Sequence, residues 1–212
     1  MTEKKTKSLK TNIVSIDVTP IYMNTDYKLD KKTKSKVIDV VKLFNHVNYG
    51  GNTTSNNSQV LELKYLSKLK EHLLKHVKTY AYEILCIQKD IEFYICQSWL
   101  NINKKDTKHH MHKHANSFIS GTYYLQGDTP IFFSKQPDWM QNYEFEHTDY
   151  NIYNSITTRV KVKEGMCLLF PSNLAHGVDI NMSDTSRVSL SFNVFFRGNL
   201  GADNKATRLT LK

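Results

Sequence analysis

Apolar residues recur along this chain with two different periods. Val37, Val40, Val41 and Phe44 are spaced by three and four, which predicts a short amphipathic helix within residues 31–47. Leu66, Leu69, Leu73, Val77, Tyr80 and Ile84 repeat that spacing with Lys and Glu between them, which predicts a second helix packed by one face. Between the two, residues 48–59 carry Gly50-Gly51 and many Asn, Thr and Ser, a loop by composition. From about residue 91 the period becomes two. Glu92–Asn103 reads as one or two strands, followed by candidates at Ser117–Gln126, Pro130–Ser134, Thr157–Val162, Met166–Phe170, Gly177–Ile180 and Arg187–Phe196. Ahead of the helices, Ile13–Val18 reads as a short strand stopped by Pro20.

This order predicts a mainly β protein with N-terminal helices, a sandwich or jelly roll with the helices on one side. The expected organisation is a flexible basic arm over 1–12, a strand and supporting helices over 13–90, a β core over 91–198 and a tail over 199–212, forming one compact domain. Residues 135–155, with Trp139, four acids and several Tyr, read as a loop inserted across the mouth of the sheets.

With 40% hydrophobic and 23% charged residues among 212, a packed core is expected and wholesale disorder is not. No apolar run is long enough to cross a bilayer, and the Lys-rich start lacks a signal peptide's apolar stretch. Three scattered cysteines without a Cys-x-x-Cys pair argue for a reducing compartment and against a cysteine zinc site. The cytoplasm is the expected location. The net charge of +9 is concentrated at the two ends, +5 within residues 1–36 and +2 within 200–212. Such ends suit solvation, or a weak contact with a polyanion, better than a nucleic-acid recognition element.

Candidate chemistry lies in His109-His110-Met111-His112-Lys113-His114. Residues i and i+2 of a strand share a face, so two imidazoles so spaced can converge on one metal ion. His110, His112 and His114 have the same parity, and spacing alone does not choose among them, while His109 is expected on the opposite face. Downstream, a strand, Pro171 and the isolated His176 precede a segment with two unlike faces. Arg187, Ser189, Ser191 and Asn193 fall on one face, and Val188, Leu190, Phe192 and Val194 on the other. A polar face beside His176 is better explained by a site than by solvent.

Together, HMHKHANSFISGTYYL (110–125), GMCLLFPSNLAHGVDIN (165–181) and RVSLSFN (187–193) resemble an oxygenase family of the iron(II)/2-oxoglutarate superfamily, common in bacteria and phages. A phage origin would make the compartment the host's cytoplasm. The resemblance covers residues 97–196. It implies a double-stranded β-helix (jelly roll, cupin-like) that uses Fe(II), O2 and 2-oxoglutarate as cosubstrate. The implied reaction is oxidative decarboxylation of 2-oxoglutarate coupled to hydroxylation of a substrate the sequence does not name.

Aligned on Ser120-Gly121, the resemblance places the metal ligands on His112, His114 and His176. Arg187 and Ser189 would hold the distal carboxylate of 2-oxoglutarate, and Tyr123, Tyr124, Asn101 and Asn103 would be further cosubstrate contacts. His114 stands where a carboxylate is usual. Asp106, Asp179 or an acid from residues 144–149 would have to supply one if the site contains it. Two alternatives remain at this point: a cupin-like metalloenzyme that does not use 2-oxoglutarate, and a non-catalytic jelly-roll module. A homo-oligomer is also open.

Overall fold

A computed structural model describes residues 18–43, 45–135, 143, 145–151, 153–202 and 206–212, with side chains 40–43 excepted. The expected arm over 1–12, nearly all of the Ile13–Val18 strand, Trp139 and the side chains of Val40, Val41 and Phe44 lie outside the described residues.

Two antiparallel sheets face each other. The larger is ordered β1-β9-β6-β11-β4-β3-β2, and the smaller β5-β10-β7-β8. The strands of the larger are β1 Tyr22–Asn24, β2 Asn45–Val47, β3 Thr53–Ser55, β4 Glu92–Asn103, β6 Ile119–Gln126, β9 Cys167–Pro171 and β11 Arg187–Leu200. The smaller consists of β5 His109–His112, β7 Ile131–Ser134, β8 Thr157–Val160 and β10 Ala175–Val178. Two helices, α1 Lys31–Leu43 and α2 Ser67–Thr79, precede β4, so the fold is mainly β with few helices. This is the expected jelly-roll architecture.

Asp30 starts α1, its Oδ1 accepting from the Thr33 backbone N–H at 2.9 Å, and α1 buries Val37. The apolar stripe of α2 (Leu69, Leu73, Val77) and the flanking Leu66 and Tyr80 are fully buried. Each such side chain contributes roughly 1.5–3 kcal/mol of burial. The stripe ends earlier than its period implies. A π-helical turn over Tyr80–Ile84 inserts an extra residue, so Tyr80 and Ala81 both face inward while Ile84 is left exposed.

The stripe packs on the outer face of the larger sheet, against Phe93, Ile119, Tyr123, Leu169, Leu190 and Phe192. Gly121 is required there, because a Cβ would lie 2.1 Å from Cζ of Phe192. A second cluster, including Tyr124, Phe133, Leu168 and Phe170, fills part of the space between the sheets.

Three boundaries differ from the sequence pattern. β1, after Pro20, is a strand that the sequence pattern does not mark. The window 31–47 expected to be helical ends in β2, and the polar loop after it contains β3; both edge the larger sheet. The C-terminal segment is not only a tail, because β12 Leu209–Leu211 pairs with Gly198–Leu200 of β11. Three-residue edge strands are too short to display a period.

Candidate active site

The long strand β11 sets the site. Its alternation places Val188, Leu190, Phe192 and Val194 in the helix-side core and turns Arg187, Ser189, Ser191 and Asn193 toward the smaller sheet. All eight residues are buried, so the polar face is interior surface rather than solvent-facing. A cavity between the sheets is lined by His109, His112, His114, His176, Arg187, Ser189, Ser191, Thr122, Trp99 and Asn101, among others.

His112, His114 and His176 bring ligand nitrogens within 4.8 Å of one another, whereas His110 lies exposed with Nδ1 3.2 Å from the Tyr49 carbonyl. The pairing of β10 with β5 sets His176 opposite His112. His114 is not on that strand. The chain leaves β5 after His112, and the His114 backbone N–H donates to the Ser172 carbonyl at 3.0 Å. Same-face parity along one strand is therefore not what brings His112 and His114 together. Gly177 permits the approach of β5, since a Cβ there would lie 2.8 Å from the His109 carbonyl oxygen.

The three imidazoles are oriented alike. Nδ1 of His112 donates to the His110 carbonyl at 2.8 Å, Nδ1 of His176 to the Leu174 carbonyl at 2.9 Å, and Nδ1 of His114 to Oδ1 of Asn193 at 2.7 Å. An acceptor oxygen at Nδ1 places the proton there and leaves the lone pair on Nε2. The Nε2 atoms of His112 and His114 are 3.2 Å apart. Burial lowers the pKa of all three rings, that of His114 to about 4 and that of His176 to about 3. They are neutral at pH 7, the form that binds metal. Three inward lone pairs with outer hydrogen bonds already in place fit a transition-metal ion such as iron(II).

His109 corrects the sequence reading. A β-bulge adds a residue to β5, so His109 pairs with Val178 and shares the face of His112. The two rings stack with centroids 4.6 Å apart, and burial pulls the His109 pKa down to about 3.

Arg187 is fully buried. Its Nε donates to the Thr129 carbonyl at 3.1 Å and one terminal nitrogen to Ser189 Oγ at 3.2 Å, and its guanidinium lies 4.9 Å from the Tyr124 ring centroid. Among the described residues no carboxylate pairs with it. The Tyr124 hydroxyl is buried beside this guanidinium, and its proton meets no acceptor among them. A buried cation without an anion is costly, and a ligand carboxylate fits the deficit.

The remaining expected contacts divide. Asn101 lines the cavity, its Nδ2 donating to Ser191 Oγ at 3.1 Å and its Oδ1 accepting from Thr54 at 2.7 Å. Asn103 is buried beside Arg187 in the β4–β11 pairing, with both amide atoms unpartnered, but it does not line the cavity. Tyr123 faces the other way. Its hydroxyl donates to the Tyr27 carbonyl and accepts from the Leu29 N–H, each at 3.2 Å, within the helix-side core. Strand parity assigns the inward position to Tyr124 instead.

No carboxylate joins the three histidines among the described residues. Asp179 is paired with Arg159 at 2.8 Å, and Asp106 is exposed. Sequence reasoning also missed Trp99, whose ring centroid is 5.5 Å from that of His114, and Ser120, whose hydroxyl is 2.8 Å from His114 Nδ1. Ser120 could have been found from its parity with Thr122 and Tyr124.

A second group, Asp26, His72 and His76, also brings three ligand atoms within 4.8 Å, as a two-histidine, one-carboxylate set. It lies at α2, outside the residues that line the cavity.

Residues 97–193 match a family model described as "Putative 2OG-Fe(II) oxygenase". No curated protein matches the chain by sequence. Among solved structures, the chain is similar to an oxidoreductase of the 2OG-Fe(II) oxygenase family from Burkholderia pseudomallei (13% identity, 82% of this chain and 83% of that one, TM-score 0.53). It is similar also to a Pseudomonas putida prolyl-4-hydroxylase (9%, 83% and 93%, TM-score 0.55). A third is HygX from Streptomyces hygroscopicus with nickel, 2-oxoglutarate and hygromycin B bound (12%, 84% and 83%, TM-score 0.54). At these identities the likeness speaks for the fold.

Proposed function

We propose that this protein, whose residues 97–193 form a 2OG-Fe(II) oxygenase family domain, couples oxidative decarboxylation of 2-oxoglutarate to hydroxylation of a second substrate. The observation that carries the reading is the buried Arg187, without a carboxylate partner among the described residues, in the same cavity as the three inward imidazoles. That combination suits a ligand with one carboxylate for a metal and a second for a guanidinium. HygX, similar in fold, holds nickel and 2-oxoglutarate.

In this reading His112, His114 and His176 hold iron(II), which supplies the oxygen activation when bound. Arg187 clamps the distal carboxylate of the cosubstrate, Ser189 adds a hydroxyl beside it, and the buried Tyr124 hydroxyl gains an acceptor for its proton. Asn101 and Asn103 stand on the neighbouring strand, with Asn101 facing the cavity. Trp99, half-buried on β4, packs beside His114 and would help shield that ligand from solvent. The described residues supply no carboxylate, so the bound dicarboxylate brings the negative charge that the protein does not.

The overall balance is substrate C–H, 2-oxoglutarate and O2 going to substrate C–OH, succinate and CO2. The test is succinate release from 2-oxoglutarate by the iron-loaded protein, with His176→Ala as control. The expected result is release by the wild type and none by the variant. Metal binding without succinate from any candidate substrate pool would favour the cupin-like alternative. Absence of metal binding would favour the non-catalytic module.

A further inference from the structure

Asp26, His72 and His76 form a cluster that the proposed oxygenase chemistry does not use. His72 and His76 are one turn apart on α2, which sets both rings on the same face. Oδ1 of Asp26 lies 2.9 Å from Nε2 of His72 and 3.2 Å from Nε2 of His76, and the two Nε2 atoms are 3.1 Å apart. Three donor atoms thus form a nearly equilateral triangle. A tetrahedral ion with ligand bonds of about 2.0–2.1 Å requires donors roughly 3.3 Å apart, so the triangle is close to ligand geometry as it stands.

The surroundings orient the ligands. The Tyr22 hydroxyl is 2.7 Å from Nδ1 of His76, an outer contact on the nitrogen that faces away from the triangle. Tyr27 covers His72, its ring centroid 4.6 Å away, and Tyr22 covers His76 at 5.7 Å. The side chain of His76 is only 5% exposed and that of His72 17%, whereas Asp26 is 52% exposed, so approach is from the Asp26 side. Among the described residues no buried Lys or Arg lies beside the cluster for a dicarboxylate, and none of its members lines the barrel cavity.

We propose that Asp26, His72 and His76 bind a divalent ion of the zinc class, separate from the iron of the barrel, which fastens the segment containing β1 to α2. The fastening reaches the larger sheet. The same segment supplies the Tyr27 carbonyl and Leu29 N–H that hold the Tyr123 hydroxyl of β6. Its ligands are two neutral nitrogens and one carboxylate oxygen, a set that suits zinc, cobalt or nickel rather than calcium or magnesium.

The experiment titrates Zn(II), and Co(II) as a coloured substitute, into the metal-stripped full-length chain. The wild type and a His112→Ala/His176→Ala variant, in which the barrel site is disabled, are compared. The double variant should bind one ion per chain, give the intense visible bands of four-coordinate Co(II), and melt roughly 5–10 °C higher at a hundredfold excess over Kd. Adding Asp26→Asn, a half-exposed and isosteric change, should weaken that binding at least tenfold, and adding His72→Ala should abolish it. If the double variant binds no ion, or binds as tightly after Asp26→Asn and His72→Ala, the proposal is overturned. Failure of the oxygenase reading would register elsewhere, as an ion count in the wild type no higher than in the double variant.

Discussion

Asn193 on β11 accepts a 2.7 Å hydrogen bond from Nδ1 of His114, and so fixes the direction in which that imidazole points its free nitrogen. Asn193 is held in turn, its Nδ2 donating to Gln97 Oε1 at 2.9 Å. The two other candidate ligands rest on backbone carbonyls, which mutation does not remove. His114 alone depends on side chains, with Asn193 the nearer at 2.7 Å and the Ser120 hydroxyl at 2.8 Å. Asn193→Ala should therefore weaken iron(II) binding by about 10–100-fold without unfolding the protein. Anaerobic iron titration checks this, and unchanged affinity would mean that Asn193 does not orient the ring.

His109 and His110 are neighbours with opposite surroundings, one stacked on His112 inside the cavity and one exposed. His110→Ala should leave iron affinity within about twofold of wild type, since surface changes of this sort cost little. His109→Ala removes the ring against which His112 packs, and iron affinity should fall several-fold. Titrations of the two variants side by side give the comparison. Equal losses would place the bulge in β5 elsewhere.

Acid should destabilise the metal-free protein through these same rings. Burial depresses His109 and His176 to about 3 and His114 to about 4, from 6.5 in an unperturbed ring. The unfolded chain therefore takes up protons that the folded one excludes, and their stability contribution is intact above pH 6.5. Each ring then costs stability by roughly 1.4 kcal/mol per pH unit as pH falls from there toward the folded values. Melting temperatures of the metal-free protein at pH 7, 6 and 5 should decline, and less steeply in His109→Gln. An equal slope in the two would show that His109 is not buried as a neutral ring.

What the sequence disclosed followed from regular periods. The stripe from Leu66 to Tyr80 and the alternation from Arg187 to Val194 are long enough for burial of one face to dominate every local preference. The polar face of β11 pointed to a site because a half-buried strand has no use for Arg187 unless something meets its charge. What it concealed depended on single-residue shifts. The bulge in β5 moves His109 to the face of His112, and the π-helical turn after α2 exposes Ile84, each by one inserted residue that a fixed period does not register. Tyr123 and Tyr124 are chemically alike, and only the facing of β6 decides which one stands beside Arg187.

Arg187 gives the sharpest test of the cosubstrate. It is fully buried, held by the Thr129 carbonyl and Ser189, and faces no carboxylate among the described residues. If the second carboxylate of 2-oxoglutarate is its partner, Arg187→Ala leaves that anion buried and unpaired, at a cost of about 3–5 kcal/mol. Affinity for 2-oxoglutarate should fall by roughly two to three decades, while iron binding is spared because no ligand histidine hydrogen-bonds to Arg187. Arg187→Lys should restore only part, since an ammonium cannot reproduce a two-pronged contact with a carboxylate. Tyr124→Phe should cost about tenfold less than Arg187→Ala, because it removes one neutral donor and keeps the ring beneath the guanidinium. Calorimetric titration of 2-oxoglutarate into the anaerobic iron-loaded proteins measures all four. Wild-type affinity in Arg187→Ala would remove 2-oxoglutarate from this cavity and leave a metal site whose cosubstrate lies elsewhere.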